Sequence, residues 1–348
     1  MSKPDYKVPS MDKIRALPWN GFSAISTFSG GGGSSTGYRM AGFNVLWANE
    51  FIDAARDTYR ANMATHTILD GRDIRQVQAI EILEAIKMQP GELDLFDGSP
   101  PCASFSTAGK RQAGWGKVKK YSDKAQRTDD LFFEYIRLLR ELKPKTFVAE
   151  NVSGLVKGAA KGYFIEIMRE LKASGYRVAC KVLDAQWLGV PQSRQRTIFV
   201  GVREDLGMDP AHPKPLPYRY SVRDCLPKDS KIEAETDISR FAIGAEWDKL
   251  KPGEGSVKYL NLKRTRIDGP AHCISAMGGE SAGVASVVHP TEKRKFSIAE
   301  LKRICGFPDD YILTGTYAQQ WERCGRSVPP VMMSHIAAAV RDNILKKL

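Results

Sequence analysis

Between residues 22 and 202, short apolar runs alternate with helical patterns, and this alternation constrains the fold more than any other feature of the chain. SAISTFS (23–29), NVLWANE (44–50), LDLFDG (93–98), TFVAENV (146–152), YRVACKVLDA (176–185) and TIFVGV (197–202) read as strands. LFFEYIRLLRELK (131–143) reads as an amphipathic helix. Its Leu131, Phe132, Tyr135, Ile136, Leu138, Leu139 and Leu142 fall on one face. Strands that alternate with helices predict an α/β fold: a mostly parallel, Rossmann-like sheet covered by helices on both faces. After Arg203 the pattern weakens. MDPAHPKPLP looks like a linker, and 236–300 holds short segments with glycine clusters such as SAMGGESAG. The expected organisation is a large domain over 20–203 and 301–348 and a smaller irregular domain over 204–300. VPPVMMSHIAAAVRDNILKKL is expected to close the chain as a helix.

Bulk properties narrow the partners. The 348 residues carry a net charge of +12. That balance favours a polyanion, because Lys and Arg release counterions when they bind phosphates. No apolar run is long enough to span a bilayer, and the first residues lack the apolar core of a secretory signal. Six cysteines without a CxxC pair argue against zinc and against a disulfide framework. They suit a reducing compartment, so a cytoplasmic protein without metal or membrane partner is expected.

The first strand runs into FSGGGGSS. Glycines there let the backbone turn tightly and approach a ligand, and the carboxyl end of a first strand in a wound sheet is a cofactor position. The spacing is neither a full GxGxxG nor a P-loop. Glu50 ends the second strand about 20 residues on, where an acid can accept from ribose hydroxyls. Phe51 beside it can stack on an adenine, and Asp73 with Ile74 falls where a third strand should end. Phe28, Ser29, Gly30, Gly32, Gly33, Glu50, Phe51, Asp73 and Ile74 therefore form a candidate adenosine site.

GSPPCASFS (98–106) closes the next strand at the same edge. Pro100 and Pro101 stiffen the approach to Cys102, and a thiolate beside positive charge is a strong nucleophile. Glu150 ends the following strand in ENV. QSRQR (192–196) precedes the last strand, with Arg194 and Arg196 alternating so that both point to one side. A thiol, an acid and guanidinium groups are thus expected around one crevice.

In this ordered set the chain resembles the DNA (cytosine-5) methyltransferases that use S-adenosylmethionine: FSGGGG, Glu50, PPC at 100–102, ENV at 150–152, QSRQR at 192–196 and CGRSVPP at 324–330. The resemblance implies a Rossmann-like large domain, a small target-recognition domain and a C-terminal helix returning to the large domain. It implies that Cys102 attacks C6 of a flipped-out cytosine, that Glu150 holds N3, and that Arg196, with Arg194, holds the O2 edge. C5 then takes the methyl group, and loss of the C5 proton releases Cys102. Pro100, Arg326, Ser327 and Val328 would line the cofactor. Double-stranded DNA is the implied partner. Ser104, Lys110, Arg111, Lys117, Lys119, Lys120, Gln192, Lys263, Arg264 and Arg266 are candidate DNA contacts, those of 109–127 on a basic lid. A monomer is expected, with a cognate nuclease as a candidate partner.

Two positions depart from the family pattern. Ala103 stands where Gln is common, and Arg326 stands in the Asn slot of GNSV. A guanidinium near a sulfonium is unfavourable. Arg326 is therefore expected to pair with a carboxylate, to reach DNA, or to accommodate a carboxymethyl group from carboxy-S-adenosylmethionine. An RNA cytosine-5 methyltransferase and a catalytically idle DNA binder are the rival readings. The idle binder predicts loss of a catalytic residue, and Cys102, Glu150 and Arg196 are all present.

Overall fold

A computed structural model describes residues 3–63, 66–101, 119–121, 124–126, 130–156, 160–227 and 231–348. By internal contacts it divides into two units. One comprises 17–183, 195–214 and 334–348; the other comprises 1–16, 184–194 and 215–333.

The first unit is built on a seven-stranded sheet. Its early strands are β1 (Ser23–Thr27), β2 (Asn44–Asn49), β3 (Ile68–Asp70) and β4 (Leu95–Gly98). β5 (Lys119–Tyr121) and β6 (Lys124–Gln126) pair antiparallel with each other. β7 (Thr146–Val152), β8 (Tyr176–Asp184) and β9 (Gln195–Arg203) complete the large sheet in the order β3-β2-β1-β4-β7-β9-β8. β1 pairs in parallel with β2 and β4, β2 with β3, and β4 with β7, whereas β7 and β9 run antiparallel. The sequence-based α/β expectation therefore holds, with β9 entering the sheet antiparallel to β7. β1 is buried along its whole length, as a strand covered on both faces must be.

The short α1 (Met11–Ala16) precedes the sheet, and α2 (Gly33–Met40), α3 (Asp53–Met63), α4 (Ala79–Ile86), α5 (Leu131–Leu142) and α6 (Lys161–Ala173) connect its strands. All seven apolar residues of the α5 face are buried. They join Phe96, Phe147 and Phe199 in one core cluster. Phe96 stacks on Tyr135 with ring centroids 4.4 Å apart. The helix stops at Leu142 because Lys143 turns left-handed at φ 49°. β1 stops at Thr27, two residues before the expected Ser29, because Phe28 (φ 53°) and Gly30 (φ 54°) leave the extended region.

The second unit is less regular. It holds α7 (Val222–Cys225), α8 (Ala242–Trp247), the parallel pair β10 (Lys263–Arg264) and β11 (Val287–Val288), α9 (Ile298–Ile304) and α10 (Tyr317–Arg326). α11 (Pro330–Asn343) closes the chain, and within the sheet unit Arg341 donates to Ala41 O at 2.6 Å.

The contact division differs from the expected boundaries in three places. Residues 184–194 and 301–333 group with 215–300, and 204–214 with the sheet. Ser193 N donates to Ala271 O (2.8 Å), which draws the chain before β9 into the irregular unit. In α10, Trp321 lies against Gly278 and Gly279 and donates to Ser275 O (2.8 Å). The prolines of 209–216 do not separate 204–214 from the sheet, because His212 contacts Ile198 O of β9 at 3.1 Å.

Candidate active site

In the parallel part of the sheet the strands end at a common edge, and the loops leaving that edge carry the chemistry. After β1, the left-handed turns at Phe28, Gly30 and Gly32 bring the chain round to α2. Ser29 donates to Asn49 O through both its amide and its hydroxyl, each at 3.0 Å. Glu50, 8% exposed, follows β2. It accepts from Gly30 N (2.8 Å) and from Ile52 N (2.7 Å). The acid thus shapes the glycine loop as well as ending the strand. A carboxylate only accepts hydrogen bonds, which is the role a ribose hydroxyl asks of its partner. A Cβ built on Gly30 would meet no atom within 4 Å. The residues therefore fit an adenosine group.

Asp73 lies beyond the end of β3 rather than at it. It caps a short 3-10 turn, accepting from Arg75 N (3.0 Å) and pairing with the Arg75 guanidinium (3.0 Å). Ile74 is buried in the sheet core, and Phe51 is half-buried beside Glu50.

Glu150 and Arg196 come together. β9 runs antiparallel to β7, so its first residues lie beside the end of β7, with Val152 opposite Arg196. Arg196 Nε is 2.7 Å from Glu150 Oε1, and both side chains are largely buried. Asn151, the middle residue of ENV, donates to Pro100 O (3.2 Å), tying β7 to the segment that leads to the cysteine. Cys102, Ser104, Lys110, Arg111 and Lys117 lie outside the described residues. Lys119 and Lys120 are described only as members of β5.

Arg194 differs from Arg196. It is fully buried in the irregular unit, where it donates to Ile274 O (3.2 Å) and Gly325 O (2.9 Å). Gln192, expected to contact DNA, is corrected by its burial. At 0% exposure it accepts from Ile274 N (3.1 Å) and donates toward Cys305 Sγ (3.3 Å). Arg264, another candidate DNA contact, is half-buried. Its guanidinium lies over Trp247, 3.6 Å from the ring centroid, and donates to Pro290 O (2.9 Å) and Leu250 O (2.6 Å). Lys263 is half-buried, and Arg266 is exposed.

Arg326 meets a carboxylate of its own helix. Its Nε is 2.6 Å from Glu322 Oε1, and Arg323 donates to Glu322 Oε2 at 2.6 Å. Burial opposes ionisation of Glu322, but the two guanidiniums outweigh it and hold its pKa below the usual range. Ser327 donates to Cys324 O (2.9 Å), and Val328 is buried.

Sequence reasoning missed one buried acid. Asp97 of β4, 1% exposed, accepts from Ser26 (2.7 Å) and Tyr38 (2.9 Å). The signal was a second Asp, after Asp94, inside the strand run LDLFDG.

A family model described as C-5 cytosine-specific DNA methylase matches residues 22–342. The chain belongs to that family. Type II methyltransferase M1.HphI of Haemophilus parahaemolyticus is 31% identical over 340 residues, covering 91% of this chain and 86% of that protein. Type II methyltransferase M.Sau96I of Staphylococcus aureus is 30% identical, covering 97% and 80%. Among solved structures, a prophage-encoded DNA modification methyltransferase from E. coli superposes with a TM-score of 0.71 at 22% identity, covering 93% of this chain and 99% of that one. Spodoptera frugiperda DNMT2 follows with a TM-score of 0.68 at 18% identity, covering 92% and 100%. These two likenesses show the fold. This methylase is a DNA cytosine-5 methyltransferase, and its methyl donor is S-adenosylmethionine.

Proposed function

We propose that the methylase acts through a covalent bond between Cys102 and C6 of a cytosine flipped out of double-stranded DNA. The observation that carries this reading is the Glu150–Arg196 pair, held at 2.7 Å where β7 ends and β9 begins. Cytosine C5 is too weak a nucleophile to be methylated directly. Attack by the Cys102 thiolate on C6 raises electron density at C5, provided the ring accepts a proton or hydrogen bond at N3. Glu150 supplies that contact, and Arg196 orients Glu150 and polarises the O2 edge. S-adenosylmethionine supplies the electrophilic methyl group. Removal of the C5 proton then expels Cys102. Asn151 and the prolines at 100 and 101 fix the approach to the nucleophile, and Glu50 with the glycine loop holds the adenosine end.

Glu322 engages Arg326, which supports methyl rather than carboxymethyl as the group transferred. Residues 215–300 act as the target-recognition part, with Arg266 and the basic run 109–127 as phosphate contacts. The type II names of the relatives support a role opposite a cognate nuclease. In this reading the protein works as a monomer in a bacterial or viral cytoplasmic setting.

The test is nucleoside mass spectrometry on DNA incubated with wild type or Cys102→Ala and S-adenosylmethionine. A deoxycytidine carrying an added methyl mass, absent with the variant, is expected. Methylation that persists in Cys102→Ala would overturn the covalent route, and modified cytidine from RNA alone would overturn the DNA assignment.

A further inference from the structure

β4 carries Asp97, ends at Gly98, and leads through Ser99, Pro100 and Pro101 to Cys102. Asp97 is an acid in an apolar core, and its surroundings contain no cation that pairs with it among the described residues. From β1, the Ser26 hydroxyl donates to Oδ2 (2.7 Å); from α2, the Tyr38 phenol donates to Oδ1 (2.9 Å). Tyr59 of α3 and Tyr135 of α5 lie close enough to feel its charge. From β7 the nearest titratable group is Glu150, whose charge repels it. The backbone repeats the connection: Thr27 Oγ1 donates to Asp97 O (3.1 Å) and Ser99 N to Thr27 O (3.3 Å). β1 and α2 flank the glycine loop, so one carboxylate joins both sides of that loop to the root of the cysteine segment.

We propose that Asp97 is a positioning residue that couples the cofactor loop to the nucleophile segment, and that methyl transfer requires its ionised form. The proposal rests on the assignment of Cys102 and of the glycine loop given above. A carboxylate only accepts, which matches two donating hydroxyls. A protonated acid must donate one bond, so one hydroxyl has to reverse and the clamp loosens. Burial pushes the Asp97 carboxyl up to about 7, against the hydrogen bonds from Ser26 and Tyr38 and with added repulsion from Glu150. Asp97 therefore changes charge close to neutrality.

The experiment is a pH profile of single-turnover methylation by the full chain, for wild type, Asp97→Asn, Tyr38→Phe and Ser26→Ala. Wild-type rate is expected to rise through a midpoint near 7. Removing one donor disfavours the ionised form, so Tyr38→Phe and Ser26→Ala move that midpoint up by about one pH unit. Asp97→Asn loses the limb and is slower by at least about tenfold at pH 8. A merely structural role would lower the unfolding midpoint and leave the limb in place. An unmoved limb in the hydroxyl variants, or a limb retained in Asp97→Asn, overturns the proposal. Should wild type transfer no methyl group at any pH, the mechanistic reading fails by itself. S-adenosylmethionine affinity measured across the same pH range then decides the Asp97 clamp: a midpoint near 7 that Tyr38→Phe shifts supports it, and a flat response refutes it.

Discussion

Replacing Arg196 by Ala should destabilise the sheet unit as well as stop turnover. The guanidinium and the Glu150 carboxylate are 2.7 Å apart, with side-chain exposures of 14% and 11%. At that distance and an effective dielectric near 20, the attraction is about 6 kcal/mol. Part of it only offsets the cost of holding both charges away from water. Removing one partner of such a pair typically costs about 3–5 kcal/mol, since the other charge stays buried without compensation. Arg196→Ala is therefore expected to lose about 3 kcal/mol, whereas Arg196→Met with Glu150→Gln, of similar volume and neutral, should recover most of it. The assay is native-state hydrogen exchange at the amides of β7 and β9, because two units need not unfold in one step. Salt at 0.5 M, on the order of three times physiological strength, should restore little, since a buried pair is weakly screened. Two results would refute the reasoning: a loss below about 1 kcal/mol in Arg196→Ala, or a double variant no more stable than the single.

Gly32 sits at φ 93°, so Gly32→Ala should cost about 1–2 kcal/mol and weaken S-adenosylmethionine binding by calorimetry; unchanged affinity would separate the turn from the cofactor. Gln192→Ala should lower stability by about 2 kcal/mol yet leave the salt slope of DNA binding unaltered, while Arg266→Ala should flatten that slope by about one unit. Lys295, fully buried, donates to Ser281 O at 2.6 Å, and burial lowers its ammonium to about 8. Its folded value lies below the unfolded one, so the charged form is disfavoured in the native state. Unfolding free energy should therefore rise between pH 8 and about 10.4, by roughly 2 kcal/mol relative to Lys295→Met; parallel stability curves for the two proteins would refute this.

The sequence by itself determined most of the sheet, because its strands read as short, apolar-rich runs and the α5 stripe repeats at helical spacing; the three-residue β3 emerged only from its pairing with β2. It also determined which residues stand at the strand ends: glycines after β1, Glu50 after β2, the PPC segment after β4 and Glu150 at the end of β7. Position along a strand translates directly into position at an edge, so local pattern suffices there. Tertiary structure alone decided which polar groups meet. Arg194 and Arg196 look equivalent in QSRQR, but one holds carbonyls in the irregular unit and the other holds Glu150, because register between β7 and β9 is set by long-range pairing. Gln192 and Arg264 read as surface contacts until packing buries the first and lays the second on Trp247. Arg326 looked like an unwelcome charge until a helical turn placed Glu322 beside it. Asp97 showed in the sequence only as an acid within LDLFDG, without a role, since the donors that make it tolerable, Ser26 and Tyr38, lie 71 and 59 residues away in the chain. A buried charge is defined by its surroundings, and only the folded chain assembles them.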